Sequence, residues 1–398
     1  MNAIKDLPSQ SPTIAIVGSG PSGCYLAQYL RKRWKEAEIV IFDRLPVPYG
    51  LVRFGVAPDH LGTKAVARQF DRLFEREGVR FIGETEIGNR VTLQELRDAF
   101  DIVVLASGLH GDRALGVPGD TLPGVHGAGR ITRLINGHPG EQIDGLRIGE
   151  RIAIVGNGNV AMDLVRLLLT SPERLLELGV AEDVVRALEP GSVKRIDVVG
   201  RSAAHDAKFD LAMLRELTKL PDVSFVAQNL ADEGIADADG IAKRDAVAEI
   251  AGGSPARAAR SVHFHFGWTP ERIIGQDKVQ SIAFRSTADE NSTLLLDVEG
   301  VLTAIGFEEL TTSPIRRSHH ESAESELDKG YLSPGLYCAG WLRRGPRGTI
   351  PQNRVDSKMV ADAIIEAVDT AQLVPGKPGL PALLAQNPSN SRHTEESA

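Results

Sequence analysis

Cysteine is scarce in this sequence: Cys24 and Cys338 are its two cysteines among 398 residues. Two cysteines cannot build a disulfide framework or a cysteine-rich metal cluster, so we predict no metal site. Unpaired cysteines are typical of a reducing compartment, of which the cytoplasm is the simplest. We expect both thiols to lie in hydrophobic cores, where cysteine behaves as a small apolar residue.

The sequence also lacks a basic excess and long apolar runs. Its net charge of −8 argues against general nucleic-acid binding, and no apolar run approaches the length that spans a membrane. Residues 1–11 contain no apolar core, so we expect no signal peptide there. The composition, 42% hydrophobic and 25% charged, suits two globular domains. The polar, proline-containing segment 375–398 is predicted to be disordered.

The most informative stretch begins at residue 13. An apolar run at 13–17 predicts a strand, a helical pattern begins at residue 24, and between them lies the loop Gly18-Ser19-Gly20-Pro21-Ser22-Gly23. A strand, a G-x-G-x-x-G loop and a helix in this order indicate a dinucleotide site. The first glycine allows the turn, the second lets a pyrophosphate approach the backbone, and the third lets helix and strand pack closely. A second apolar run at 39–42 ends in Asp43, which is placed to accept hydrogen bonds from a ribose.

The segment after Asp43 does not follow a regular pattern. Prolines and glycines interrupt residues 44–60, which indicates a shaped loop, and long loops of this kind are often functional. Hydrophobic periodicity then predicts helices at 64–77 and 92–99, and strands at 80–82, 84–87 and 101–108.

The opening pattern recurs in the middle of the chain. An apolar run at 151–155 precedes a helix predicted over 162–169, and between them lies the G-x-G-x-x-A loop Gly156-Asn157-Gly158-Asn159-Val160-Ala161. Two such motifs in one chain predict two dinucleotides brought face to face. The strand predicted at 196–200 ends in Arg201, and a basic residue there suits the 2′-phosphate of NADP. Residues 230–297 are predicted to form an antiparallel insertion, followed by a buried strand at 301–307.

The last informative segment is residues 335–351, which lead into a helix predicted over 352–368. Pro351 is expected at the first helical position, where its missing N–H has no cost. Whatever the preceding loop binds would lie at the positive end of the helix dipole.

Four segments together resemble the adrenodoxin-reductase-like family of NADPH:ferredoxin reductases, flavoproteins built on the glutathione-reductase two-domain plan. They are GSGPSG at 18–23, PVPYGLVRFGVAPDH at 46–60, GNGNVAMD at 156–163 and AGWLRRGPRG at 339–348. The resemblance extends from about Ile14 to Ala367. It implies an α/β fold with two Rossmann-like dinucleotide-binding domains. The FAD domain would be discontinuous, at 1–110 and 328–398, with the NADP domain inserted at 111–327.

By this resemblance the first domain binds FAD and the second binds NADPH. Ser22 and Asp43 match positions that hold pyrophosphate and ribose, and Trp341 with the backbone of Gly348-Thr349-Ile350 matches the flavin ring site. A helix N-terminus there would stabilise an anionic reduced flavin. The further matched FAD positions are Gly18, Ser19, Gly20, Pro21, Gly23, Arg44, Gly50, Leu51, Val52, Ile87, Gly108 and Gly340. The matched NADP positions are Asn157, Gly158, Asn159, Val160, Arg201 and Ser202.

Two departures from the family accompany these matches. The family's paired arginines for the 2′-phosphate are here Arg201 and Ser202, so NADPH selectivity should be weaker than in the family and NADH should also be accepted. His60 matches the histidine that the family keeps beside nicotinamide and flavin. The helix predicted over 209–217 carries Met213 where the family has a glutamate, so His60 lacks that acidic partner for a proton relay.

The resemblance implies an FAD-dependent NADP⁺ oxidoreductase that passes hydride from NADPH to FAD and single electrons to a ferredoxin-type iron–sulfur protein. Trp341 and His60 are its candidate catalytic residues. A disulfide reductase shares the two-domain plan but requires a redox cysteine pair, and this sequence has no C-x-x-C. Two alternatives remain open: a flavoenzyme that reduces a small molecule directly, and a nucleotide-binding module without catalysis.

An acidic ferredoxin would dock on a positive surface. The sequence predicts such a patch from five basic residues, namely Arg343, Arg344, Arg347, Lys208 and Arg215.

Overall fold

The chain forms two compact units in the computed structural model, which describes residues 11–228, 230, 234, 237–253, 255 and 258–386. Of the described residues, the first unit contains 11–56, 60–111 and 308–386, and the second contains 57–59 and those within 112–307. Residues 308–327, expected in the inserted domain, thus belong to the first unit. Arg317 fastens this segment there, because its guanidinium donates hydrogen bonds to the carbonyls of Leu342 at 2.9 Å and Arg343 at 2.7 Å.

The strands, in chain order, are β1 Ile14–Val17, β2 Ile39–Phe42, β3 Arg80–Ile82, β4 Ile102–Leu105, β5 Gly111–Asp112, β6 Val125–Gly127, β7 Arg151–Val155, β8 Arg195–Gly200, β9 Val223–Gln228, β10 Arg260–Phe266, β11 Trp268–Ile274, β12 Ser281–Ser286, β13 Thr293–Asp297, β14 Gly300–Thr303, β15 Phe307–Glu308, β16 Tyr331–Ser333 and β17 Leu336–Cys338.

The α-helices are α1 Pro21–Arg33, α2 Leu51–Phe54, α3 Leu61–Lys64, α4 Val66–Glu75, α5 Leu93–Ala99, α6 Ala128–Ile135, α7 Asn159–Leu168, α8 Pro172–Glu177, α9 Glu182–Leu188, α10 Leu211–Glu216, α11 Ala238–Gly252, α12 Trp341–Arg344, α13 Ile350–Asp369 and α14 Leu380–Gln386. Among the residues that the structure describes, no helix combines the length and apolarity needed to cross a bilayer.

The first unit is built on a six-stranded sheet with the order β16-β17-β4-β1-β2-β3. Its strands pair in parallel except β16, which runs antiparallel to β17. The strands β1, β2 and β4 are uninterrupted apolar runs, because a parallel sheet covered on both faces leaves neither side of a strand in water. Leu26 of α1 and Ile364 of α13 belong to the same buried cluster as Ile16 and Val104 of the sheet.

The second unit contains a fully parallel sheet with the order β6-β14-β7-β8-β10-β9. Met162 and Val165 of α7 pack with Ile154 in the larger core on one face. On the other face Val155 packs with Phe284 of the three-stranded antiparallel sheet β11-β12-β13. Both glycine motifs therefore lie at the carboxyl end of a central parallel strand, where nucleotides bind in such folds.

The expectation of an antiparallel insertion over 230–297 is correct only for β11 to β13. β10 pairs in parallel with β8 and β9 in the main sheet, and α11 lies before it. The alternating pattern at 262–266 identified a strand, but alternation does not distinguish a parallel from an antiparallel neighbour. Residue 229, just before this segment, and residues 231–233, 235–236, 254 and 256–257 within it lie outside the described residues.

Several predicted boundaries also change. Residues 84–87 do not form a strand, because Glu84 has a φ of 51° and Ile87 makes only an isolated bridge to Val91. The strand predicted at 301–307 is divided into β14 and β15, whereas the helix expected at 92–99 is confirmed as α5 with a Thr92–Glu95 capping box. The helices predicted at 64–77, 162–169, 209–217 and 352–368 are present with other ends, as α4, α7, α10 and α13.

The disorder predicted over 375–398 is wrong for residues up to 386. The N–H groups of Gly376 and Lys377 each donate to Asp101 Oδ1 at 2.9 Å, and Leu380 and Leu383 of α14 are buried. A polar composition concealed these anchors, because the acceptor lies 275 residues earlier in the chain. Residues 387–398 lie outside the described residues.

Candidate functional site

The three glycines of the first motif have three different surroundings. Gly18 has a φ of 109°, and a Cβ there would lie 2.5 Å from the Ala106 carbonyl oxygen; a Cβ on Gly23 would lie 2.0 Å from the Gly18 carbonyl oxygen. A Cβ on Gly20 would meet no atom of the described residues within 4 Å. The first and third glycines are therefore required by packing within the protein, whereas the second borders open space that a pyrophosphate can enter.

The N-terminus of α1 faces this open position. Its N-cap is Gly20, Pro21 occupies the first turn, and the first turn carries no acidic side chain. The first N–H groups of a helix have no partner within the helix, and the helix dipole adds positive potential at the same end. This end of α1 can thus bind an anionic group.

Asp43 follows β2 and is tied to the glycine loop. Its Oδ2 accepts from the Ser19 N–H at 2.8 Å and its Oδ1 accepts from the Leu45 N–H at 3.0 Å. A carboxylate offers about four acceptor positions, so the half-buried Asp43 can still accept from a ribose. The neighbouring Arg44 is exposed.

The loop at 46–55 is packed directly on the glycine loop. The Tyr49 N–H donates to the Ser19 carbonyl at 3.1 Å, and the Tyr49 hydroxyl is hydrogen-bonded to Asp71. Gly50 has a φ of 47°, and a Cβ there would lie 3.2 Å from Gly20 Cα. Leu51 then begins α2, whose Val52 is buried. This contact explains a glycine at position 50 in both steric and conformational terms.

The C-terminal segment closes against α1 through buried polar groups. Ser22 Oγ donates to Asn353 Oδ1 at 3.2 Å, and a Cβ on Gly340 would lie 2.2 Å from Ser22 Oγ. Asp356 Oδ2 accepts from the Gly340 N–H at 2.6 Å, and its Oδ1 accepts from Arg343 Nε and Nη2 at 2.8 and 2.6 Å. Asp356 is therefore the acceptor that shapes the segment carrying the half-buried Trp341.

The start of α13 is similarly constrained. The Thr349 N–H donates to Gln352 Oε1 at 2.7 Å, and a Cβ on Gly348 would lie 1.9 Å from the same oxygen. The helix begins at Ile350, so Pro351 occupies the second helical position rather than the first. Of the remaining positions matched in this unit, Ile87 is buried and Gly108 has a φ of 73° with open space around it.

The second motif repeats the geometry of the first. Gly156 has a φ of 121°, and a Cβ there would lie 2.2 Å from the Ala304 carbonyl oxygen. Within the described part of the chain, a Cβ on Gly158 would meet only the Cβ of Lys208, at 3.9 Å. The helix α7 then begins at Asn159, which Val160 follows in the chain. As in the first motif, a glycine that borders open space directly precedes a helix N-terminus.

Side chains connect this second loop to the residues after β8. Asn157 is buried, and its Nδ2 donates to Ser202 Oγ at 3.3 Å. Asn159 Nδ2 donates to Asp210 Oδ2, and the Asp210 N–H donates back to Asn159 Oδ1, both at 2.7 Å. Arg201 is exposed at the end of β8. Asn157 and Ser202 are thus in contact in the second unit, and Arg201 directly precedes Ser202 in the chain.

His60 belongs to the first unit, where it is half-buried and precedes α3. Met213 belongs to the second unit and packs against its hydrophobic core. The residue before His60, Asp59, also belongs to the second unit and accepts from Arg166 Nε and Nη2 at 2.6 and 2.9 Å.

Arg166 is a central residue that the sequence did not reveal. Its buried guanidinium also lies 2.7 Å from Asp163 and 3.2 Å from Glu216. Although burial alone would lower its pKa, the surrounding carboxylates raise the pKa of Arg166 above its usual value. Of these ion pairs, the sequence indicates only the one between Asp163 and Arg166, because residues three apart on a helix lie on the same face.

The comparisons with known proteins agree with this geometry. The model of the pyridine nucleotide-disulphide oxidoreductase family matches residues 12–247. Cindoxin reductase from Citrobacter braakii is 47% identical over 377 residues, covering 94% of this chain and 81% of that protein. The chain belongs to the pyridine nucleotide-disulphide oxidoreductase family.

Two further relatives define its branch of the family. NADPH:adrenodoxin oxidoreductase from Bos taurus is 32% identical over 402 residues, covering 93% of this chain and 82% of that protein. A structure of FprA from Mycobacterium tuberculosis in complex with NADPH matches with a TM-score of 0.83 at 28% identity, covering 97% of this chain and 91% of that chain. The resemblance to adrenodoxin reductases is thereby confirmed, as is the α/β fold with two dinucleotide-binding domains.

The cysteines do not supply the disulphide chemistry in the family's name. Cys24 and Cys338 are free and completely buried. Burial raises the pKa of the Cys24 thiol far above its usual value and that of Cys338 to about 12. Both thiols are therefore protonated at neutral pH and unreactive, as core residues would be.

Another polar cluster lies within the sheet of the second unit. Asp197, His263 and His265 place potential metal-binding atoms within 4.8 Å of one another. However, Arg195 Nη2 and Nε lie 2.8 Å from the two oxygens of Asp197, and His265 Nε2 lies 2.8 Å from Oδ1. Burial alone would raise the pKa of Asp197, but hydrogen bonds from His265 and Arg195 lower it below its usual value. Arg195 thus supplies the charge balance that a metal ion would otherwise provide.

Two of the five basic residues predicted to form the docking patch are largely buried. The side chains of Arg343 and Arg344 are only 14% and 18% exposed, and both are directed at Asp356. Arg344 Nη2 additionally donates to Asn353 Oδ1 at 2.6 Å. Basic residues in this segment therefore hold α12 on α13, and of the three arginines there only Arg347 is exposed.

Proposed function

We propose that this chain is a flavoprotein reductase that oxidises NADPH and delivers single electrons to a ferredoxin-type iron–sulfur protein. FAD binds in the first unit and NADPH in the second. The observation that carries the proposal is the repeated geometry of the two motifs. In each, the second glycine borders open space at a helix N-terminus, while the first glycine is required by contact with a neighbouring strand end.

The residues of the first unit fit a bound dinucleotide. Gly20 and the N-terminus of α1 bind the pyrophosphate, and Asp43 accepts a hydrogen bond from the adenosine ribose. Gly50 allows the loop at 46–55 to lie close to Gly20. Ser22 keeps α1 in contact with the C-terminal segment. The flavin supplies the redox chemistry itself, as a hydride acceptor that can release electrons singly.

The flavin-ring end of this site is assigned to the segment that Asp356 shapes. Trp341 provides a flat side chain there, and the N-terminus of α13 provides N–H groups and a positive dipole. A positive helix end favours negative charge on a bound ring, so we assign Gly348, Thr349 and Ile350 to its stabilisation. The remaining positions that we assign to FAD contact include Arg44, Leu51, Val52, Ile87, Gly108 and Gly340.

In the second unit, Gly158 and the N-terminus of α7 receive the NADPH pyrophosphate, and Arg201 with Ser202 receives the 2′-phosphate. A single guanidinium binds that phosphate less strongly than two, so discrimination against NADH is weak. His60 is assigned to the FAD site of the first unit by the family resemblance, and position 213 carries methionine where the family has a glutamate. A hydride transfer between cofactors needs alignment more than acid–base catalysis.

The experiment that tests this function is reduction of cytochrome c with and without an added [2Fe–2S] ferredoxin. We expect NADPH oxidation to be slow with cytochrome c alone and to rise at least tenfold when ferredoxin is added. Equal rates without ferredoxin would favour a flavoenzyme that reduces small acceptors directly. No flavin bleaching with NADPH would favour a nucleotide-binding module without catalysis.

A further inference from the structure

Lys208 lies against the open glycine of the second nucleotide motif. Among the described residues outside the glycine's chain neighbours and its own helix, the Cβ of Lys208 is the one atom that a Cβ on Gly158 would approach within 4 Å, at 3.9 Å. The flanking residues Ala207 and Phe209 are buried to 0% and 1% exposure, whereas Lys208 itself is exposed. Because its two neighbours are fixed in the core, the lysine stem must leave the protein surface next to Gly158.

The backbone that carries Lys208 is fastened to the glycine loop on both sides. Upstream, Ser202 Oγ accepts from Asn157 Nδ2 at 3.3 Å. Downstream, Asp210 and Asn159 exchange two hydrogen bonds of 2.7 Å. The lysine is therefore presented to the loop by a constrained segment, so its backbone needs little further ordering when an anion binds.

A positive charge from Lys208 would complement the negative charge that a nucleotide brings to the second glycine loop. A bound NADPH brings a pyrophosphate and a 2′-phosphate, and Ser202 contributes no charge where the family has a second arginine. Within the part of the chain that the structure describes, Lys208 has no ion pair with a carboxylate. An unpaired ammonium next to a phosphate site gains a charge-assisted interaction without first breaking another.

We propose that Lys208 is a nucleotide-binding residue whose ammonium pairs with the pyrophosphate of NADPH. This assignment rests on the proposed function of the second unit. The pyrophosphate is common to NADPH and NADH, so Lys208 strengthens the binding of both nucleotides equally. Selectivity for the 2′-phosphate then depends on Arg201, and the absence of a second arginine lowers selectivity more than affinity.

The test compares Lys208→Gln with Lys219→Gln, which removes another exposed lysine of the same unit. Calorimetry with the FAD-loaded proteins measures the Kd of NADP⁺ and of NAD⁺, and competition measures the Kd of adenosine 2′-phosphate, which has no pyrophosphate. For Lys208→Gln we expect the Kd of both dinucleotides to rise about tenfold, as for loss of one charged hydrogen bond. The Kd of adenosine 2′-phosphate should not change. Lys208→Arg should restore wild-type affinity, and Lys219→Gln should match the wild type.

Each other outcome has one meaning. A loss confined to NADP⁺ and adenosine 2′-phosphate would overturn the assignment, because the lysine would then contact the 2′-phosphate. Unchanged affinities in Lys208→Gln, with a wild-type protein that binds NADP⁺, would overturn it while leaving the proposed function intact. A wild-type protein that binds neither dinucleotide would overturn the proposed function and the assignment together. FAD content and melting temperature show whether each variant is folded.

Discussion

Replacing Asp356 by asparagine should weaken the protein's hold on FAD. Asp356 is 4% exposed and accepts hydrogen bonds from the Gly340 N–H and from two nitrogens of Arg343. Asparagine has nearly the same shape, so the substitution leaves no cavity. It removes the negative charge and presents an NH₂ group to donors that need an acceptor.

The size of the effect follows from these contacts. Hydrogen bonds to a charged group contribute about 1 kcal/mol more than neutral ones. For the three bonds to Asp356 the loss is about 3 kcal/mol, at the lower end of the range for breaking a buried ion pair. For a domain of this size that corresponds to a fall in melting temperature of roughly 6–12 °C.

The assay is thermal release of FAD, followed by the rise in flavin fluorescence, together with circular dichroism for unfolding. The control is Asp362→Asn on the same helix, where the carboxylate pairs with Lys358 and both side chains are more than half exposed. Exposed pairs of this kind contribute little, so the control should behave as wild type. Asp356→Asn should release FAD at a lower temperature. If Asp356→Asn retains FAD as tightly as Asp362→Asn does, the role given to this carboxylate is refuted.

Three further outcomes are expected. Arg166→Met should lower the free energy of unfolding by about 3–5 kcal/mol, because it leaves three carboxylates around an apolar side chain. The measurement is urea unfolding, with Arg174→Met, which removes an exposed ion pair, as the control. Equal unfolding midpoints for the two variants would contradict the prediction. Gly20→Ala should fold but retain less FAD after gel filtration. Gly23→Ala should fail to fold, because its Cβ would lie 2.0 Å from a carbonyl oxygen. Equal FAD content in the two variants would contradict this difference. Burial lowers the pKa of Lys64 to about 8, so near pH 8 about half of its amine is neutral, against well under 1% for an ordinary lysine. Mass spectrometry after brief acylation at that pH should show Lys64 modified ahead of the exposed lysines, and modification in step with them would refute this.

The two nucleotide motifs could be predicted from the sequence because their chemistry is local. Strand, glycine loop and helix occupy consecutive residues, and the φ of 109° at Gly18 and of 121° at Gly156 is what the motif demands. The family resemblance then predicted the α/β fold with two dinucleotide-binding domains, which the comparisons confirm. The assignment of Asn157 and Ser202 to NADP binding stays a prediction, although the two side chains are in contact.

The contacts that could not be predicted are those between distant residues. The sequence predicts a docking surface that includes Arg343 and Arg344, but Asp356, 13 residues beyond Arg343, pairs with both side chains and keeps them largely buried. Arg166 and Asp59 are 107 residues apart, and only the fold brings them within 2.6 Å. The prediction of disorder after residue 375 was wrong for the same reason. The acceptor that anchors this segment is Asp101, and the polar composition of the segment does not indicate it.

The central claim is that one chain holds FAD and is reduced by NADPH. Its most direct test is the visible absorption spectrum of the purified protein during an anaerobic titration with NADPH. We expect a yellow protein with one FAD per chain whose flavin absorbance is bleached by one equivalent of NADPH, and more slowly by NADH. A protein that stays colourless after reconstitution with FAD, or a bound flavin that NADPH does not bleach, would contradict the claim.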